Sequence, residues 1–370
     1  MIYHLLPELE PFSMLSGGAL SRDVAYIMPF DGSSVVTGRG ADDSWGYERS
    51  RIVILPKLHI YRSIPRRRLL PLGIHCSLIR LVFREFTERL APGDIVWCHN
   101  QPFFAAALAP GIREAGAKLI YHIHDGHAGF AVRAAFGAFH ADAYFVVSEA
   151  MREKWSRLFP GLTNAHVIHN GVDEKLFHPL SHDVRRRNDP PVILFVGRLA
   201  HEKGPHVLIE AIRILEERGV SALCKIVGTS ACGWRKSTRY ARELYKSAPK
   251  SVRFLGYVAN KQLPDLYRAA DIVCSPSLWQ EPFGNVNIEA MACGIPVVAT
   301  AVGGIPEIAA EGGVVLVEPD SPVQLADALQ KLVFDSDLRG KIAEAGVRSV
   351  LRRFTWFATC QQYLGVINSL

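Results

Sequence analysis

Short apolar runs alternate with longer amphipathic stretches from one end of the sequence to the other. Runs at 2–6, 34–37, 52–55, 94–98, 118–123, 143–147 and 165–168 are separated by segments with helical spacing, such as 78–90, 103–115 and 149–159. The alternation restarts at 192–196 and continues through 223–227, 252–256, 271–275, 296–300 and 313–317. Runs this short, apolar at nearly every position, suit strands buried on both faces, and such strands are joined by long crossovers. The pattern predicts α/β architecture with parallel sheets. Residues 177–191 are polar, rich in proline and without apolar period, and read as a linker or surface loop between two sets of βα units. The expected fold is two doubly wound, Rossmann-like domains, each with its ligand edge at the carboxyl ends of its strands, facing each other across a cleft. The expected bounds are 1–175 for the first domain and 176–350 for the second. Residues 351–370 mix aromatic and apolar side chains and are expected to form a last helix returning to the first domain.

Composition excludes several other classes. The chain has 370 residues, 49% hydrophobic and 21% charged, enough to build real cores and too apolar for intrinsic disorder. Its 30 glycines and 22 prolines are scattered without period, so it is not collagen-like. The seven cysteines (Cys76, Cys98, Cys224, Cys232, Cys274, Cys293 and Cys360) are odd in number and form no C-x-x-C pair. A disulfide framework or a zinc site is not expected, and a reducing compartment fits. Glu8 and Glu10 interrupt the apolar core that a signal peptide would need, and no apolar run reaches the ~18 residues of a membrane span. The expected location is cytoplasmic, either free or peripheral on the inner face of the membrane.

The net charge of +6 is concentrated in one window. Residues 49–89 hold ten basic side chains (Arg49, Arg51, Lys57, Arg62, Arg66, Arg67, Arg68, Arg80, Arg84 and Arg89) against Glu85 and Glu88. Residues 78–90, at the end of this window, have helical apolar spacing with arginines between. Such an element can lie on an anionic membrane surface, or be a core helix with a solvated basic face. Nucleic acid is not an expected partner, because the window lacks interleaved aromatics and no recognised binding module surrounds it.

Three stretches carry chemistry. Ser16, Gly17 and Gly18 follow the first strand and precede a helix, where glycine backbone can approach a phosphate at the helix N-terminus, although a simple turn would look the same. Phe195 to Gly204 (FVGRLAHEKG) puts Arg198 and Lys203 just past a strand, where two cations can hold a diphosphate and neutralise a leaving group. Glu281 to Pro296 (EPFGNVNIEAMACGIP) follows a strand and opens a helix, with Gly284 at the helix start and Glu289 about two turns in. A carboxylate there can accept from both ribose hydroxyls.

These elements occur in one order with Ile168 to Asp173 (IHNGVD) and Ala301 to Glu307 (AVGGIPE). Together they resemble the retaining, nucleotide-sugar-dependent glycosyltransferases of the GT-B fold, glycosyltransferase family 4-like. The resemblance implies that Arg198 and Lys203 grip the donor diphosphate, that Glu281 binds donor-sugar hydroxyls, and that Glu289 binds the ribose. It implies further donor contacts from Asn170, Gly197, Phe283, Gly284 and Asn285, from Gly17 and Gly18 on the phosphates, and from Tyr257 and Val258 at the nucleobase. His124, in Tyr121 to Asp125 (YHIHD), matches the family histidine near the anomeric carbon, and His122 lies deeper on the same strand. Neither a metal nor another cofactor is expected, since cations and helix-end N–H groups supply the electrostatics. The implied reaction moves a sugar from a UDP-sugar, or a GDP-sugar, to a glycan or lipid-linked glycan in cell-surface polysaccharide or lipopolysaccharide assembly.

Asn285, Val286 and Asn287 replace residues that are often more apolar in the family, so sugar preference does not carry over. Two other classes fit the architecture: a nucleotide-sugar 2-epimerase, and a non-catalytic nucleotide-sugar-binding protein. An epimerase would convert a UDP-sugar with no acceptor present, and a binding protein would turn over none.

Overall fold

A computed structural model of the protein describes residues 1–7, 12, 19–37, 52–54, 71–126, 129–180, 188–230 and 238–370. They divide into two compact units, Met1–His169 with Thr359–Leu370, and Asn170–Ala358.

In chain order the first unit comprises β1 (Ile2–Leu5), α1 (Ala19–Asp31), β2 (Ser34–Thr37), β3 (Ile52–Ile54), α2 (Leu72–Thr87), β4 (Ile95–His99) and α3 (Pro102–Glu114), then β5 (Lys118–Ile123), α4 (Phe130–Phe136), β6 (Ala143–Val146), α5 (Glu149–Leu158) and β7 (Ala165–Val167). Its parallel sheet has the order β3-β2-β1-β4-β5-β6-β7, so the strand order reverses between β1 and β4. Every residue of β4 is buried, as the unbroken apolar run predicts. Trp97 on β4 meets Phe145 and Tyr363 edge-to-face, with centroids 5.0 and 4.8 Å apart.

Helix α2 begins at Leu72, six residues before the expected start. Pro71 precedes it with φ −52°, and its carbonyl accepts from His75 N at 3.0 Å, so the proline pre-sets the first turn. The apolar spacing is spent inward: His75, Cys76, Ile79, Phe83 and Phe86 are buried, and the helix packs on α3. Arg80 Nε donates to Ala107 O, and Arg84 pairs with Glu88 on an exposed face. Within the described residues this is a core helix with a solvated basic side. Arg49, Arg51, Lys57, Arg62, Arg66, Arg67 and Arg68 lie outside the described residues, as do Gly17 and Gly18.

The second unit comprises β8 (Val192–Val196), α6 (Pro205–Glu217), β9 (Leu223–Val227), α7 (Arg239–Ser247), β10 (Val252–Gly256), α8 (Leu263–Arg268), β11 (Ile272–Ser275), α9 (Asn285–Ala292), β12 (Val297–Thr300), α10 (Ile305–Ala309), β13 (Val314–Val317), α11 (Pro322–Phe334) and α12 (Ser336–Arg353). Its parallel sheet has the order β10-β9-β8-β11-β12-β13, which reverses between β8 and β11. Ile193, Phe195, Leu208, Ile226, Ile272 and Leu329 belong to the core packed on it.

The division between units falls at Asn170 rather than 176, and residues 351–358 stay with the second unit. Hydrogen bonds fix both points: Val172 N donates to Phe354 O at 2.8 Å, and Asn170 Nδ2 donates to Asn285 Oδ1 at 2.9 Å. Parts of the expected linker are docked as well. Phe177 is buried beside Tyr267, and Asn188 Nδ2 donates to Asp271 Oδ2 at 2.7 Å. The last helix, α13 (Trp356–Ile367), starts in the second unit, and its residues from Thr359 onward belong to the first. There Thr359 Oγ1 donates to His169 O, and Tyr363 is buried against Trp97.

Leu208 on α6 has no exposed surface. Leu208→Ala should cost about 2–5 kcal/mol of stability in urea unfolding followed by circular dichroism; a loss below about 1 kcal/mol would contradict this core assignment.

Candidate active site

In doubly wound sheets the crevice where strand order reverses opens at the carboxyl ends of the strands. In the second unit the segments leaving β8 and β11 meet there. Lys203 ends a short 3-10 turn (His201–Lys203), and its ammonium faces both oxygens of Glu281, at 2.6 Å to Oε1 and 2.9 Å to Oε2. Ser277 Oγ donates to Glu281 Oε2 at 3.2 Å, and the Trp279 indole N–H donates to the same oxygen. The Lys203 ammonium also lies 5.2 Å from the centroid of the Trp279 ring. The two side chains of the ion pair are only 20% and 12% exposed.

Backbone contacts hold the two segments in place. Leu278 N donates to Glu202 O, and Gly304 N donates to Glu281 O. Gly303 has φ +55°, and a Cβ there would lie 2.0 Å from Glu281 O, so only glycine allows this approach.

Arg198 is not part of the Lys203 cluster. Its guanidinium pairs with Glu202 at 3.1 Å, and both side chains are well exposed, at 50% and 39%. Gly197 N donates to Val227 O, which closes the end of β8 against β9. Tyr257, just past β10, is exposed.

Gly284 begins α9 with φ +106°, a conformation side chains rarely adopt. The Phe283 side chain is buried beside Phe354, so it is the backbone of 283 to 285 that stands at the helix start. Asn170 and Asn285 come together through their amides. Glu289 is 8% exposed, and its Oε2 accepts from Tyr267 OH at 2.8 Å. The sequence did not single out Tyr267, Ser277, Trp279 or Glu202. Glu202, Ser277 and Trp279 lie within four residues of Lys203 or Glu281 without a recognisable pattern of their own, and Tyr267 reaches Glu289 only once α8 and α9 are packed.

In the first unit, His124 follows β5. Its backbone N donates to Asn100 Oδ1 at 2.8 Å, and Asn100, just past β4, has φ +50°. Asn100 Nδ2 also reaches Asp125 Oδ2 at 3.4 Å. His124 Nε2 lies 3.0 Å from His99 Nδ1, and His99 Nε2 lies 3.0 Å from His4 Nδ1. His4 Nε2 in turn lies 2.9 Å from Asp31 Oδ2. His122 is fully buried, its ring 3.7 Å from that of His124 between centroids, with Tyr363 OH 3.4 Å from its Nε2. His4, His99 and Asp31 carry no sequence motif, and only strand order reveals that β1, β4 and β5 are neighbours.

Ring nitrogens of His99, His122 and His124 lie within 4.8 Å of one another, a set that could hold a metal ion. Two of the three rings, His99 and His124, already hydrogen-bond each other, so a cation would have to displace that bond.

Residues 179–348 match the model of the family described as glycosyl transferases group 1, and residues 33–176 match that of Glycosyltransferase Family 4. Among curated relatives, spore coat protein SA of Bacillus subtilis (strain 168) is 28% identical over 60% of this chain and 63% of its own length. A D-inositol 3-phosphate glycosyltransferase of Corynebacterium jeikeium (strain K411) is 44% identical over 46% of this chain and 41% of its own length. The chain thus spans less than two thirds of either relative. Among solved structures, Anabaena Alr3699/HepE in complex with UDP and glucose aligns with a TM-score of 0.77 at 23% identity, over 100% of this chain and 99% of that one. A glycosyltransferase from Rickettsia africae ESF-5 gives a TM-score of 0.76 at 19% identity, over 100% and 97%. These structural likenesses show a shared fold.

Burial holds His99 and His122 well below the ordinary histidine value and brings His124 down to about 3. The unfolded rings titrate near 6.5. Below that pH the unfolded chain binds more protons than the folded one, so stability is intact above about 6.5 and is lost as pH falls. Each ring contributes up to about 1.4 kcal/mol per pH unit. Calorimetry should show Tm falling from pH 6.5 to 5, with a shallower fall in His122→Phe; a flat Tm would mean the rings are already charged.

Proposed function

Because this chain belongs to the glycosyl transferases group 1 family, with the GT-B fold, we propose that it transfers a sugar, with retention of anomeric configuration, from a nucleoside-diphosphate sugar to a glycan or lipid-linked glycan. The observation that carries this reading is the Lys203–Glu281 pair where strand order reverses in the second unit. An ammonium has three protons, and two face Glu281, so the third is directed to a phosphate oxygen. Arg198 exchanges the exposed Glu202 for the diphosphate, and an exposed pair of this kind holds its arginine by less than about 1 kcal/mol. Glu281 accepts from sugar hydroxyls, and Glu289, steadied by Tyr267, accepts from the ribose. Asn170, Asn285 and the backbone of Gly197, Phe283 and Gly284 line the donor, while Tyr257 and Val258 border the base. Gly17 and Gly18 are assigned to the phosphates by their sequence motif.

A UDP-sugar is the favoured donor because solved relatives of this fold were captured with UDP and UDP-glucose. In the proposed step the bond from the anomeric carbon to the phosphate oxygen breaks as the acceptor oxygen attacks the same face. The departing diphosphate takes the acceptor's proton, so no enzyme nucleophile and no metal is invoked. His124 meets a hydroxyl of the donor sugar. The product enters cell-surface polysaccharide or lipopolysaccharide assembly.

No helix among the described residues is long and apolar enough to cross a membrane. The basic window 49–89 supports peripheral docking on anionic lipid at the inner face of the membrane. Neutralising Arg66, Arg67 and Arg68 together should then weaken co-sedimentation with anionic vesicles several-fold, whereas binding insensitive to lipid charge would remove this docking.

The donor is identified by screening UDP-, GDP- and ADP-sugars for a rise in Tm and for turnover. Glu281→Gln and Lys203→Ala should each lower transfer by roughly a hundredfold or more while far-UV circular dichroism stays unchanged. Near-normal turnover in either would end this assignment, and epimerised donor formed without acceptor would point to an isomerase instead.

A further inference from the structure

Three imidazoles cross the buried sheet of the first unit in a single hydrogen-bonded line, one each from β1, β4 and the end of β5. One end of the line is a carboxylate. Asp31 Oδ1 accepts from Ser33 N at 2.8 Å, and Oδ2 lies 2.9 Å from His4 Nε2. The other end is His124, the residue on which the proposed function places a sugar contact.

The direction of the line follows from counting protons. An ionised carboxylate only accepts, so His4 Nε2 carries a proton and donates to Asp31. With His4 neutral, its one N–H goes to Asp31 and Nδ1 is left bare to accept from His99 Nε2–H, whereas an imidazolium at His4 would donate from both nitrogens and reverse the rest of the line. His99 Nδ1 is then bare in turn and accepts from His124 Nε2–H. The last nitrogen, His124 Nδ1, is left as a lone pair.

With His4 neutral, the opposite direction would set a bare His4 nitrogen against the Asp31 carboxylate at 2.9 Å, acceptor to acceptor. Its only compensation would be His124 Nδ1–H toward Asp23 Oδ2, which at 4.0 Å is beyond hydrogen-bond reach. Burial raises the Asp31 carboxyl, but hydrogen bonds from His4 and Ser33 outweigh it and hold the group below its ordinary value, so it stays ionised. Burial likewise keeps the His99 and His124 rings neutral.

We propose that Asp31 is a positioning residue for His124: acting through His4 and His99, it fixes the tautomer of the last ring so that Nδ1 is presented as an acceptor to a sugar hydroxyl. The corner that results suits this ligand. Nδ1 has no hydrogen-bond donor among the described residues, the His124 side chain is 8% exposed, and the Asp23 carboxylate lies beside it. A lone pair on Nδ1 calls for a hydroxyl donor. The contact itself rests on the transfer reading above; the tautomer does not.

Long-range proton–nitrogen correlation spectra of the full chain, labelled with nitrogen-15 histidine, report which ring nitrogen carries the proton. His4, His99 and His124 should all show the Nε2–H form at neutral pH. In Asp31→Asn the amide can donate to His4 Nε2, so the His124 signal should shift toward the Nδ1–H form. The same variant should lose roughly tenfold to a hundredfold in kcat with little change in donor KM. His99→Phe cuts the line from within, and adding Asp31→Asn to it should have no further effect on kcat, a non-additivity that a merely structural role would not give. Asp31→Glu, which restores the carboxylate, should recover the tautomer. An Nδ1–H His124 in the unmodified chain, a tautomer indifferent to Asp31→Asn, or a stoichiometric metal ion bound between His99 and His124 would each overturn the proposal. The spectra need no substrate, so they test the line even if donor turnover fails on its own account.

Discussion

Strands buried on both faces leave polar side chains two choices, and both are used here. They can leave the sheet at its carboxyl edge, or they can satisfy one another inside it. A buried polar group without a partner costs about 1–3 kcal/mol, so a second imidazole placed in the sheet is stable only if the first is there to receive its proton. His4, fully buried on β1, is tolerable because Asp31 closes α1 beside it, and His99 is tolerable because His4 accepts from it. Each member of the line depends on the one before, which is why a carboxylate on α1 can govern a ring at the end of β5.

The second unit places its polar groups at the edge, and there exposure separates two kinds of cation. Lys203 and Glu281 are largely withdrawn from water, and removing one partner of such a pair strands the other charge at a cost of about 3–5 kcal/mol. Glu281 is further anchored by Trp279, Ser277 and the glycine at 303. Arg198 is half-exposed and, among the described residues, held by a single carboxylate partner, Glu202. The first pair is held in place by the protein's own contacts, with no ligand needed to complete it. The second is a cation that an anionic ligand can recruit at little cost.

The strands were legible in the sequence almost to the residue, because short apolar runs bounded by polar turns recur at βα spacing, and the central ones, such as β4 and β12, are buried on both faces. The start of α2 was not, since its first turn is dictated by Pro71 and carries Gly73 and His75, which break the apolar spacing. The boundary at Asn170 was obscured for a different reason. Residues 177–191 have the composition of a linker, but Phe177 and Asn188 are fastened to the second unit by contacts far away in the chain. The site divides in the same way. Lys203, Glu281, Asn285 and His124 stand in recognisable local motifs. Tyr267, His4, His99 and Asp31 do not, because what makes them matter is which strands and helices become neighbours on folding.

The two sheets share the order in which the chain builds outward from its first strand and then reverses, yet their carboxyl edges differ in electrostatic character. At the β8–β11 reversal the groups are charged, as the proposed diphosphate donor requires, because its leaving charge must be met by cations already in place. Near the β1–β4 reversal they are buried rings whose protons, in the proposed line, point inward toward Asp31. A charged imidazolium there would repel the N–H side of its neighbours and would donate where the proposed sugar hydroxyl must donate. Keeping His124 neutral takes burial, and keeping its lone pair outward takes the carboxylate at the far end. The two requirements together account for three histidines and an aspartate in a region where apolar side chains would otherwise pack without cost.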